Sequence, residues 1–267
     1  MTDRSGARGA ILMIHGVNCT GEVWSRMAGQ FRDIGWRVEM PTFRPQLRRR
    51  SEPPAELLKL TLADYVEDME AEARRLTAET GQPPVVFGHS MGGLIAQKLA
   101  ERGVARAVVL LTPTAPSGLQ SKGSLAPRFT FANILYGPRM ETRAQKFWRT
   151  GFGWGILNCV PRSRHAEIYA ATCYESGLVY RDLFYRSKDT QRIAYIDEGC
   201  VTAPILTIGA AKDRAIHIDT QRKIAEKYKR VGDYLEYADN AHWILDEPGT
   251  ERVIADIAGW LNAKVAK

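Results

Sequence analysis

The chain has 267 residues, 45% of them hydrophobic and 25% charged, close to the averages for a folded soluble domain, which excludes a disordered or fibrous architecture. Its formal net charge of +7 comes with one dense cluster, Arg44, Arg48, Arg49 and Arg50 in "RPQLRRRSEPP". Nucleic-acid surfaces carry more such clusters, with interleaved aromatics or a recognisable module, so no nucleic-acid partner is expected and the stretch reads as a solvated loop, with an acidic partner or anionic lipid as the alternative.

The opening, "MTDRSGARGA", lacks the apolar stretch of a secretory signal, and no apolar run approaches the roughly 20 residues that cross a bilayer. A cytoplasmic protein without an integral membrane segment is expected. Residues 8–18, "RGAILMIHGVN", form an apolar run ending at a glycine, the pattern of a strand buried on both faces. "SRMAGQFRDIG" then repeats its apolar positions at helical spacing and stops at Gly35, and "TLADYVEDMEAEARRLTAETG" opens on a Thr or Asp cap and stops at Gly81. Further buried-strand patterns occur at 84–88, "PVVFG", at 105–113, "ARAVVLLTP", and at 203–210, "APILTIGA". Strand and helix alternate, which calls for a mostly parallel sheet with helices on both faces.

The alternation lapses over 116–199, which holds "KFWRTGFGWGILNCVP" and "RHAEIYAATCYESGLVYRDLFYRS" but no run resembling a central strand. A mainly helical insertion is expected there, with residues 1–115 and 200–267 forming the core. The chain closes on "TERVIADIAGWLNAKV", an amphipathic helix. Cys19, Cys159, Cys173 and Cys200 are scattered without metal-ligand spacing, so free thiols and no metal are expected.

In "PPVVFGHSMGGLIAQKLA", residues 83–100, Gly88, Ser90 and Gly92 satisfy G-x-S-x-G directly after a predicted strand and before a predicted helix. That is the context of a nucleophile elbow, where the turn is too tight for side chains two places either side of the serine. A serine hydroxyl needs a base within reach and a third group to orient the base. Of five histidines, His15 and His89 suit structural or oxyanion-side roles and His165 lies in the insertion, leaving His217 and His242. His242 is favoured, because it stands in a polar loop between "DYLEYA" and the last helix, whereas His217 follows the fourth run too soon. The acid should fall between serine and histidine in chain order. No Asp or Glu occurs from residue 103 through 140, so the choice falls on Asp213, with Asp219 and Asp197 as rivals. Two backbone amides should face the developing oxyanion: Met91, after the nucleophile, and Val17, after the first strand.

The segments "IHGVNCTGEVW", "GHSMGGLIAQKLA", "PILTIGAAKDRAI" and "NAHWILDEPGTERVIADIAGWL" resemble the α/β-hydrolase superfamily over essentially the whole chain, with 116–199 standing where that family places its cap. The resemblance implies a Ser90–His242–Asp213 triad, an α/β-hydrolase fold and no cofactor. The "GHSMGG" form is similar to that of esterases and monoacylglycerol lipases, so a small-molecule ester is the expected substrate. Relatives that cleave epoxides or carbon–halogen bonds carry Asp where this chain has Ser90. Lactone, thioester or carbon–carbon hydrolysis with the same triad remains open, with Arg139, Arg143 and Arg149 as candidate cap cations, and so does a ligand receptor on the same fold. In the insertion, Phe131, Leu135, Tyr136, Trp148 and Trp154 are candidate pocket residues or the insertion's own core; Cys19 either touches the site or fills a small buried gap. Free imidazole titrates at about 6.5, so activity that depends on His242 as a base is expected to rise with pH through a limb near 6 to 7.

Overall fold

The computed structural model of the chain describes residues 8–119 and 124–265; most of the opening stretch discussed above lies outside them. The elements run in chain order as β1 (Ala10–Ile14), α1 (Ser25–Asp33), β2 (Arg37–Glu39), α2 (Leu62–Thr80), β3 (Val85–His89), α3 (Met91–Glu101) and β4 (Ala107–Leu111). Between β4 and the rest of the sheet come α4 (Leu125–Thr130), α5 (Ala132–Leu135), β5 (Ala144–Gln145), the single turn α6 (Arg149–Gly151), α7 (Arg162–Ala171), β6 (Glu175–Ser176) and α8 (Gly177–Phe184). The chain then adds β7 (Ile205–Ala210), α9 (Ile218–Lys227), β8 (Gly232–Tyr237) and α10 (Thr250–Lys264).

Six strands form one sheet in the order β2-β1-β3-β4-β7-β8, and every neighbouring pair is parallel. β1, β3, β4 and β7 are buried along their whole length, as the continuous apolar runs require. Alternate residues feed two cores. Ile11, Met13, Phe87 and Val109 pack with Met27 and Phe31 of α1 and Ile257 and Leu261 of α10, while Leu12, Ile14, Val86 and Val108 pack with Val66 and Met69 of α2 and Leu94 and Leu99 of α3. The edge strand β2 has three residues and buries only Val38, too short a pattern to stand out in the sequence.

The helix boundaries follow local chemistry. Thr61 and Asp64 form a capping box at the start of α2, and Gly81 ends it in the left-handed conformation at φ 77°. Among the described residues no helix is long and apolar enough to cross a membrane.

Residues 116–199 contain no strand of the central sheet among those described; their helices are joined by a two-stranded antiparallel ladder of β5 and β6, which the expectation of a mainly helical segment did not include. Phe131, Ile134, Phe147, Phe152 and Tyr180 from this segment continue the core that lies on the α2 and α3 side of the sheet.

The basic stretch is not the solvated loop its charge suggests. Arg49 and Arg50 are exposed, but Arg44 pairs with Asp68 at 2.6 and 2.8 Å. Arg48 is buried and donates from Nη1 to Glu175 Oε2 at 2.8 Å. Tyr65 donates its hydroxyl proton to Glu175 Oε1 at 2.6 Å and the Ser176 amide donates to the same oxygen at 2.8 Å. Burial works against the Arg48 charge, but the Glu175 carboxylate, and after it Tyr65, outweigh that and raise the guanidinium above its ordinary value.

Candidate active site

The C-terminal ends of β1, β3, β4, β7 and β8 point the same way, and the loops beyond them supply the candidate residues. Ser90 sits between β3 and α3 with φ 55° and ψ −121°, backbone that a residue with a Cβ seldom adopts. The glycines around it are demanded by contact. A Cβ on Gly88 would lie 2.3 Å from the carbonyl oxygen of Gly92, and a Cβ on Gly92 would lie 2.1 Å from that of Ile14. The turn is held by the Ser90 amide donating to Leu111 O at 3.2 Å and by the Gly93 and Thr114 amides donating to Ser90 O, each at 2.9 Å.

Asp213 follows β7 and is buried, as is His242 in the loop beyond β8. His242 Nδ1 and Asp213 Oδ2 are 2.9 Å apart. Because the carboxylate can only accept, Nδ1 carries the proton in this pair and Nε2 is left as the lone-pair nitrogen when the ring is neutral. The other bonds of Asp213 fix its plane: Oδ1 accepts from the amides of Ala215 and Ile216 at 2.7 and 2.8 Å, and Oδ2 also accepts from Gln221 Nε2 at 2.9 Å. The backbone carbonyl of His242 is gripped in turn by His89 Nε2 at 2.8 Å and the Thr112 hydroxyl at 3.2 Å. The loop leading to His242 is pinned by Glu247, whose Oε2 accepts from Ala241 N at 2.7 Å and Asn240 Nδ2 at 3.2 Å, while burial pushes its carboxyl above the usual range.

His15 and His89 are both enclosed. His15 Nδ1 donates to Gly16 O at 2.8 Å and its Nε2 accepts from the Phe43 amide at 3.3 Å. Burial, reinforced by the Arg48 guanidinium, lowers His15 to about 3. Burial, with His242 as the next cause, does the same for His89. Burial thus favours the neutral form of both rings well below the ordinary histidine range. His217 caps α9, its Nδ1 accepting from the Asp219 amide at 3.3 Å, and His165 donates to Val160 O at 2.9 Å. Between the two rival histidines, only His242 meets a buried carboxylate.

Two cavities open beside Ser90. One, of about 150 Å³, is lined by Ser90, Val17, Met91, Phe131, Tyr180 and Arg186 among others, and its wall is mainly apolar. The other is a hollow of about 10 Å³ lined by Ser90, His242, Gly16, Cys19 and Phe152 among others, near the lower limit for one water molecule. Val17 and Met91 therefore lie next to Ser90 as the sequence places them, Phe131 faces both cavities and Cys19 the smaller. A Cβ on Gly16 would come within 3.0 Å of Ser90 Cβ, so the loop after β1 abuts the serine directly.

Leu135, Tyr136, Trp148 and Trp154 line neither cavity. Leu135 packs against the core from a half-buried position and Tyr136 is 71% exposed. Trp148 ties its indole N–H to Thr130 O at 3.2 Å, and both tryptophans pack on Phe129 at the surface. The Trp154 ring also takes the Arg214 guanidinium at 4.5 Å from its centroid. Arg139, Arg143 and Arg149 also line neither cavity. Residues that line the larger cavity without a signal in the sequence include Tyr180, Leu183, Phe184 and Arg186 around α8 and Thr220 of α9, and the rival His217 lines it as well.

A parallel sheet with a strained serine at the turn between its third strand and the following helix, and with loops gathered at the strand ends, is the α/β-hydrolase fold. The chain belongs to the alpha/beta hydrolase family, whose model matches residues 11–255. Solved structures agree in fold: a monoacylglycerol lipase of Paleococcus ferrophilus aligns with TM-score 0.69 and 18% identity over 96% of this chain and 95% of that one. A methylesterase from Arabidopsis aligns with TM-score 0.70 and 11% identity over 95% and 99%. An esterase from Exiguobacterium antarcticum aligns with TM-score 0.69 and 15% identity over 96% and 93%. No curated protein matches the sequence.

Proposed function

We propose that the protein is a serine hydrolase that cleaves a carboxylic ester of a small, fairly apolar molecule through an acyl-enzyme, with residues 116–199 as its cap and the remainder as its core. The observation that carries this reading is the buried His242–Asp213 pair, 2.9 Å apart, whose imidazole shares a hollow with a serine held at φ 55°.

Ser90 Oγ attacks the ester carbonyl while His242 Nε2 takes its proton; Asp213 keeps Nδ1 protonated and stabilises the imidazolium that forms. The amides of Val17 and Met91 receive the oxyanion, at the N-terminus of α3 where the helix dipole favours negative charge. The imidazolium gives its proton to the departing alcohol, and a water activated by the same ring releases the acid. Because the ring must reach the leaving oxygen, the alcohol part belongs on the His242 side. The larger cavity, which Ser90 lines and His242 does not, then takes the acyl part. Its 150 Å³ matches a cavity that admits a benzene-sized group, about 150 Å³, and favours short acyl chains over long ones. The esterases and the lipase among the structural neighbours support the same class of bond.

Hydrolysis of p-nitrophenyl esters from acetate to decanoate by the wild type and by Ser90→Ala tests this. The expected outcome is turnover that peaks at short chains and falls by roughly a millionfold in kcat on loss of the serine. Equal rates for the two proteins, or none with any ester, would remove the ester-hydrolase reading.

A further inference from the structure

The acyl cavity carries a charge its neighbours do not neutralise. Arg186 follows α8 and lines the cavity that Ser90 lines. Its Nη1 donates to Asp182 O at 2.8 Å and its Nη2 to Ala115 O at 2.7 Å, both backbone carbonyls. Its Nε is enclosed and has no hydrogen-bond partner among the described residues.

The two carboxylates that act on it electrostatically, Asp189 and Asp182, are committed elsewhere. Asp182 accepts from Arg181 on Oδ1 at 2.7 and 2.9 Å and from the Leu62 amide on Oδ2 at 3.2 Å; Asp189 accepts from the Ile193 and Ala194 amides at 3.1 and 2.7 Å. No Asp or Glu lines the cavity among the described residues. Burial lowers the guanidinium to about 10, against the smaller opposing effects of Asp189 and Asp182; Arg186 is half-buried, and it donates to backbone carbonyls rather than to carboxylates. A buried charge left unpaired is costly, and an anion that reaches it recovers that cost.

We propose that Arg186 sets specificity by receiving a carboxylate at the far end of the substrate's acyl group, so that the preferred substrates are half-esters of short dicarboxylic acids. The proposal rests on the ester-hydrolase reading and names the class of acyl group that reading leaves open. The rest of the wall, with Phe131, Leu183 and Phe184, then covers the methylene chain between the two carbonyl groups. Two polar ends at a fixed separation also set the chain length: the oxyanion amides hold one and the guanidinium the other.

The test compares two p-nitrophenyl esters of similar size, the butyrate and the mono-ester of glutarate, with Ser90→Ala giving the uncatalysed background for each. The wild type is expected to favour the glutarate half-ester in kcat/KM by about tenfold to a hundredfold, the worth of a hydrogen bond to a charged group. Arg186→Gln should abolish that preference, mainly through KM, and Arg186→Lys should restore part of it. A wild type that cleaves butyrate but does not favour the half-ester overturns the proposal and leaves the hydrolase reading intact; this arm needs no variant to fold. An Arg186→Gln protein that loses both activities equally assigns Arg186 to tying Asp182 to Ala115, and also overturns it. A wild type that cleaves neither ester removes the hydrolase reading and this proposal with it.

Discussion

Ser90 holds a backbone conformation of the kind that costs about 1–3 kcal/mol and persists only where its surroundings over-determine it. Here three backbone hydrogen bonds and the close approach of Gly88 and Gly92 to neighbouring carbonyls do so. Gly92→Ala is the sharpest test: its methyl would have to displace the backbone of β1 at Ile14. A loss of about 1–3 kcal/mol in a urea titration is expected, with esterase activity falling by more than stability alone explains. A variant as stable and as active as wild type would show that the turn has slack. The same crowding explains why this part of the site was legible in the sequence: where only one residue type fits, the letter announces the geometry. Asp213 and His242 were legible for another reason, since chain order and the absence of acids over 103–140 left few choices. Arg186 was not, because an arginine among many acquires meaning only from the carbonyls it meets, and its partner Ala115 stands before the insertion while Arg186 stands near its end.

At the scale of elements, the segment 116–199 is joined to the sheet by polar bonds as well as by its aromatic core. Asn18, in the loop that carries Val17, donates from Nδ2 to Gln145 O and Cys173 O, both at 2.8 Å, accepts on its own carbonyl from the Cys173 amide at 2.9 Å, and receives the Tyr180 hydroxyl on Oδ1. Glu175 of β6 binds Arg48 and Tyr65 of the core. Removing one partner of a buried pair strands the other, so Glu175→Gln is expected to destabilise the protein by about 3–5 kcal/mol in chemical denaturation, while Glu175→Leu combined with Arg48→Met costs far less. Equal losses from the single and the double variant would mean that packing, not charge, makes this joint. The sequence hid the joint because a run of arginines is usually a solvated face, and because Glu175 comes to Arg48 from 127 positions away. Four of the six strands of the central sheet needed no such distant information, being continuous apolar runs; the edge strands β2, with three residues, and β8, "GDYLEY" with only Tyr237 buried, offered too little pattern to read.

For the molecule as a whole, acid should be the weak flank. His15 and His89, one at the end of β1 and one at the end of β3, are neutral in the fold down to about pH 3, whereas in the unfolded chain they take protons near about 6.5. Between those values the unfolded state binds more protons, so stability is complete above about pH 6.5 and is lost as pH falls toward 3, at a limiting slope of about 1.4 kcal/mol per pH unit for each ring. Urea midpoints measured from pH 7.5 to 4.5 should therefore drop steeply at the acid end. A flat profile would mean that one of these rings accepts a proton inside the fold.

The bonds of Asn18, Arg48 and Asp182 have a kinetic consequence as well. Swinging 116–199 away from the sheet as one plate would break all of them together, each leaving a buried polar group unpaired at about 1–3 kcal/mol, and would drag residue 18 with it, one peptide from Val17. Tyr180, which lines the cavity beside Ser90, is tied through Asn18 to the loop of Val17, so that part of the wall is set before any ligand arrives.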